Sequence, residues 1–151
     1  MIAFQTKYKD VLASDPALKE KFDQVCQKHG RSFNFALSFP PMKQAYAEFI
    51  KGECSSETLS FYDIVNEFKK NPTLQKAKEI RQNYIEVPDD SPFIEINIPG
   101  ATKKDLLEEL DKGGVPSSGV FDKAQAKIYD LMLTDSFVRF KKSGSFKEFT
   151  S

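Results

Sequence analysis

The sequence predicts an all-α domain. Apolar residues recur at three- and four-residue spacing through most of the 151 positions. Cap and stop residues punctuate that pattern. The stretch that alternates like a strand has no partner to pair with. Phe4, Tyr8, Val11 and Leu12 fall at helical spacing. Asp15-Pro16 then reads as an N-cap followed by proline at the first helical position. Leu18, Phe22, Val25 and Cys26 form the stripe of that helix, and Gly30 closes it. Phe33, Phe35, Leu37 and Phe39 alternate, and Pro40-Pro41 ends whatever precedes it. Arg31–Pro41 is therefore expected as an apolar connection across the core, holding at most one helical turn.

Met42–Ile50 resumes as a helix, with Tyr46, Phe49 and Ile50 inward. Gly52–Ser56 is a turn, and Ser55 or Ser56 can cap the next helix, with Glu57 in its first turn. That helix carries a wide stripe of Leu59, Phe61, Tyr62, Ile64, Val65 and Phe68, which predicts burial on more than one side. Lys69-Lys70-Asn71-Pro72 stops it. Thr73 caps a helix with Leu74, Ala77, Ile80 and Tyr84 on one face, ended by Val87-Pro88. Asp89–Pro92 is a polar loop, and Phe93–Ile98 is extended, locked by Pro99 and Gly100. Thr102 with Asp105 resembles a capping box for a helix with Leu106, Leu107 and Leu110, stopped by Gly113-Gly114. Phe121, Ala124, Ile128, Leu131 and Met132 mark a strongly periodic helix. Thr134-Asp135 is expected to cap a last one with Phe137 and Phe140. The sum is about eight or nine short helices and no sheet.

Composition narrows the function. Lys and Arg number 22, Asp and Glu 22, so the formal net charge is zero, with no global field for nucleic acid or an anionic surface. Nucleic acid is not an expected partner. Two cysteines, Cys26 and Cys54, form no secreted disulfide framework and suit a reducing compartment. One histidine, His29, excludes any site that needs two imidazoles from one chain. Cys26, His29 and Cys54 lack a fourth soft ligand for zinc, so no metal is expected. A Cys26–His29 dyad three residues apart on one helix is poor geometry for a held nucleophile. No G-x-S-x-G, Walker A or G-x-G-x-x-G motif is present. Glu108-Glu109 and Asp89-Asp90 read as solvated groups. Arg139–Lys147 mixes basic and aromatic residues, and reads as a helix that docks its Phe side chains and leaves its Lys side chains wet. Phosphate or anionic lipid is the competing reading. The chain thus supplies no catalytic residue and no cofactor site, and points to a protein-binding module.

From Met42 to about Phe149 the chain resembles the regulator of G-protein signalling (RGS) domain. The resemblance lies in Glu48-Phe49-Ile50, Ser55–Phe68 and Ala77–Ile85, then in Glu95-Ile96-Asn97-Ile98, Thr102, Phe121–Met132 and Asp135–Phe140, in that order and spacing. It implies one domain over residues 1–151, with residues 1–41 as an N-terminal helical extension. It also implies an RGS-type fold of about nine helices: a four-helix bundle, here Ser56–Leu133, and a subdomain formed by the chain ends. Members bind the GTP-bound α subunit (Gα) of heterotrimeric G proteins and speed its GTP hydrolysis. They supply no arginine finger, because Gα carries its arginine in cis.

By this resemblance, Glu53, Ser55, Glu57 and Thr58 form a first contact loop. Asn97 forms a second and supports the hydrolytic glutamine of Gα. Leu131, Asp135, Ser136 and Arg139 form a third, where Asp135 accepts from the switch backbone and Arg139 holds that carboxylate. Three positions depart from the family pattern. Thr58 stands where many members have asparagine, Tyr62 where tryptophan is common, and Pro99 where a polar residue is frequent. An RGS-fold scaffold without GTPase-activating activity is the alternative. The resemblance further implies a cytoplasmic protein at the inner face of the plasma membrane, held there through Gα or a larger parent chain.

Overall fold

The computed structural model describes residues 13–29 and 31–150, and among them it is helical with no strand. The helix read over Phe4–Leu12 and the stop at Gly30 lie outside the described residues. Nine α-helices are described: α1 (Pro16–His29), α2 (Phe33–Ser38), α3 (Pro40–Gly52), α4 (Ser56–Lys70), α5 (Leu74–Ile80), α6 (Gly100–Asp111), α7 (Asp122–Leu131), α8 (Phe137–Phe140) and α9 (Gly144–Thr150). Two π-turns extend helices, Arg81–Ile85 after α5 and Met132–Ser136 between α7 and α8. The chain divides into two compact units. One gathers its ends, up to Ser55 and from Leu133 on, and the other is Ser56–Met132.

In the unit of the chain ends, Asp15 accepts from the Leu18 amide at 3.1 Å and opens α1, as its position before Pro16 predicts. Helix α2, six residues long, exceeds the single turn expected in that connection. Ser32 caps it by accepting from the Phe35 amide, and Phe33 and Ala36, three apart, are both buried. Helical burial overrides the alternation of the four apolar side chains. Helix α9 packs on α1 and α3, and α3 on α2 and α8. The core is aromatic. Phe33 lies 4.7 Å from Phe137, and Tyr46 lies 5.5 Å from both Phe33 and Phe140. Phe146 of α9 closes on Phe140 at 5.6 Å. Such tilted and edge-on contacts suit the ring quadrupoles. The basic tail follows the docked-helix reading: Phe137, Phe140 and Phe146 are buried, and Lys142 and Lys147 are exposed.

The Ser56–Met132 unit holds α4, α5, α6 and α7, the four helices of the expected bundle. Helix α4 packs on α5 and α7, and α6 on α7. Phe61 of α4 meets Tyr84 at 5.7 Å, and Phe68 meets Phe121 edge-on at 5.2 Å. Buried Gln125 of α7 ties itself to α4. Its Nε2 donates to the Tyr62 carbonyl at 2.9 Å and to Asn66 at 2.8 Å, and its Oε1 accepts from Lys69. Thr73 caps α5 through the Lys76 amide at 3.1 Å. Gly113 and Gly114 have φ of +80° and +72°, the left-handed backbone that glycine supplies past a helix end.

Two caps differ from expectation. Helix α6 starts at Gly100 with Pro99 as its N-cap residue and no side-chain cap bond, so Thr102 lies inside its first turn. Thr134 and Asp135 do not take the N-cap position of α8, which is Ser136, because the π-turn carries the backbone through them into that helix. No helix among the described residues is long and apolar enough to cross a membrane.

Candidate functional site

The expected contact residues fall in both units. In the unit of the chain ends, α3 terminates in a Schellman motif. The Ser55 amide donates to the Ile50 carbonyl at 2.9 Å and the Cys54 amide to the Lys51 carbonyl at 3.1 Å. Cys54 occupies the left-handed position with φ 58°. The turn is thus held by the ladder of α3, and Ser55 adds a bond from its hydroxyl to the Ile50 carbonyl at 3.3 Å.

Beside Cys54 stands Glu53, whose carboxylate takes both arms of Arg139: Nε donates to one oxygen at 2.7 Å and Nη2 to the other at 3.0 Å. The same guanidinium donates to both oxygens of Asp135. One planar cation therefore holds two carboxylates, Glu53 from 86 positions away in the sequence and Asp135 from four. Those bonds raise the Arg139 pKa, from Glu53 first and Asp135 second. The bond from Arg139 likewise holds the Asp135 carboxyl below its ordinary value. Asp135 is exposed. Ser136 is buried, and its hydroxyl shares a 2.6 Å hydrogen bond with the Tyr46 hydroxyl. It steadies the π-turn under Asp135 from within. Burial pushes the Tyr46 phenol up to about 12, with the bond to Ser136 pulling the other way.

In the Ser56–Met132 unit, Glu57 is half-buried in the first turn of α4, and its Oε2 is shielded from solvent with no hydrogen-bond partner. Thr58 is buried at 6 % exposure. Leu131, at the end of α7, is half-buried. Tyr62 packs its ring 6.1 Å from that of Tyr129.

Asn97 is exposed. Its backbone neighbour Ile96 is buried and donates its amide to the Tyr84 carbonyl at 2.9 Å. That carbonyl lies in the first π-turn, which is locked by Arg81 on Glu86 at 2.7 Å and on Asp111 at 2.8 Å. An amide presented on a fixed backbone can donate and accept at once. The Glu53–Arg139 pair is a feature that sequence spacing does not reveal, whereas Asp135 and Arg139 are four apart on one helical path.

Residues 32–149 match the family model for the regulator of G protein signaling domain. The chain belongs to the RGS domain family. The match begins at residue 32 and so takes in α2 as well as the helices after it. Among curated relatives, the chain is similar to regulator of G-protein signaling 18 of Homo sapiens, at 35% identity over 120 residues, 77% of this chain and 48% of that protein. It is also similar to regulator of G-protein signaling 8 of Homo sapiens, at 32% identity over 139 residues, 89% of this chain and 74% of that protein. Regulator of G-protein signaling 7 of Bos taurus shows 27% identity over 132 residues, 87% of this chain and 28% of that protein. The chain thus spans about half the length of the first of these relatives. The RGS match and the all-helical structure of the described residues agree on the RGS fold.

Proposed function

We propose that this RGS domain is a GTPase-activating protein for a heterotrimeric Gα subunit. Its Gα-contacting residues are Glu53, Ser55, Asp135 and Arg139 from one unit and Glu57, Thr58, Asn97 and Leu131 from the other, with Ser136 in support. They bind the switch segments of the GTP-bound subunit and favour the arrangement they take at the hydrolytic transition state. The domain then acts where its Gα lies, at the cytoplasmic face of the plasma membrane. Asn97 carries the reading: an exposed amide on a backbone pinned at Ile96. In this role it orients the glutamine of Gα that positions the attacking water.

A surface that binds the transition-state arrangement better than the ground state lowers the barrier by the difference. About 3 kcal/mol gives roughly a hundredfold. A few interface hydrogen bonds of about 0.5–1.5 kcal/mol each supply that. In single-turnover hydrolysis of preloaded GTP by a panel of Gα subunits, at least one is accelerated by this domain. Asn97→Ala reduces that acceleration at unchanged melting temperature. Full acceleration by the variant removes Asn97 from the role.

A second reading, a scaffold that docks without acceleration, is favoured by buried Thr58 and by Pro99, whose side chain offers no polar group to the Asn97 loop. Tight binding to GTP-loaded Gα at an unchanged hydrolysis rate selects it.

A further inference from the structure

Between the first π-turn and α6 the chain runs without regular structure, and Phe93 and Ile94 in it are exposed at 44 % and 55 %. So little burial leaves the loop to be held by a few bonds. Two of them belong to Glu95. Its Oε1 accepts from the Val87 amide, at the loop entrance, at 3.2 Å. Its Oε2 accepts from Lys103 Nζ, in the first turn of α6, at 3.2 Å. Lys103 is itself set by its backbone bond to the Pro99 carbonyl at 3.0 Å. One carboxylate therefore closes the loop at both ends, two residues before Asn97, and the buried Ile96 lies between them.

An exposed ion pair alone contributes little. This one does more because its second oxygen fixes a backbone amide, and a displaced contact residue loses rate steeply. We infer that Glu95 is a positioning residue, which holds the loop so that the Asn97 amide stands ready for its Gα partner. The inference rests on the role given to Asn97 above.

The test uses the full chain and two readouts. The first is amide hydrogen exchange by NMR. Glu95→Ala speeds exchange at Val87 and Ile96 by about three- to tenfold, the range one hydrogen bond carries, and leaves the amides of α4 and α7 unchanged. Glu95→Gln, which keeps an acceptor oxygen, recovers part of the protection. The second is single-turnover hydrolysis at saturating domain. Glu95→Ala lowers the maximal rate by a similar factor and causes no further loss in an Asn97→Ala background, because the two act as one unit. Unchanged exchange at Val87 and Ile96 overturns the inference, and so do fully additive losses. A wild-type domain that accelerates no Gα instead overturns the reading of Asn97, and the exchange data still decide whether Glu95 anchors the loop.

Discussion

Arg139 bonds Glu53 and Asp135 at once, so its planar fork matters as much as its charge. Arg139→Lys keeps the charge and loses the paired geometry. Its affinity for Gα bound to GDP and aluminium fluoride falls by about tenfold, the scale of one charge-assisted bond. Biolayer interferometry reads this directly, and equal affinity would show that the fork is dispensable. Tyr46 gives a pH signature. Its folded pKa is raised to about 12 from an ordinary 10, so the folded chain holds the proton more tightly than the unfolded one. That contribution is fully present below pH 10 and is lost as pH rises through 12, at about 1.4 kcal/mol per pH unit. Urea midpoints of the wild type therefore fall more steeply between pH 10 and 12 than those of Tyr46→Phe. The thiols separate as well. Cys26 is buried and its pKa is pushed up to about 11, chiefly by burial, whereas Cys54 is exposed. A maleimide labels Cys54 in the native protein and reaches Cys26 only in denaturant, as mass spectrometry of the labelled chain will show.

Gln125 joins α7 to α4 through three partners, and Leu in its place leaves Lys69, Asn66 and the Tyr62 carbonyl to find others. Gln125→Leu is expected to destabilise by about 1–3 kcal/mol, measured as a lower urea midpoint. Much of this layer was legible in the sequence. Asp15 and Thr73 cap where their side chains and followers predict, and the wide stripe of α4 is buried on Leu59, Phe61, Val65 and Phe68. What escaped reading has physical causes. Phe33 and Ala36 were masked by an alternation that burial overrode. The π-turn through Thr134 and Asp135 looked like a cap because Thr-Asp before an apolar pair reads the same in a break or a continuous helix. Pro99 took the N-cap of α6 because the fixed φ of proline (here −55°) suits the entry to a helix.

Across the whole molecule, the chain-end unit and the Ser56–Met132 unit are each held by their own aromatic contacts, Phe33–Phe137 in one and Phe68–Phe121 in the other. The two carboxylates on Arg139 come from distant parts of the sequence, and only folding reveals Glu53 as a partner. Asn97 and Asp135 were legible one at a time, as a turn residue and a helix-end residue. The joint role proposed for them rests on the order of motifs rather than on spacing. With zero formal net charge, the chain carries no global field to steer a charged partner.

Selective affinity for the transition-state shape of the switch segments is the central claim. The direct measurement compares the affinity of the wild-type domain for one Gα in three states, bound to GDP, to a non-hydrolysable GTP analogue, and to GDP with aluminium fluoride. The account predicts the tightest complex with aluminium fluoride, by roughly a hundredfold over the form bound to the GTP analogue if about 3 kcal/mol of differential binding operates. Equal affinity for all three would contradict it.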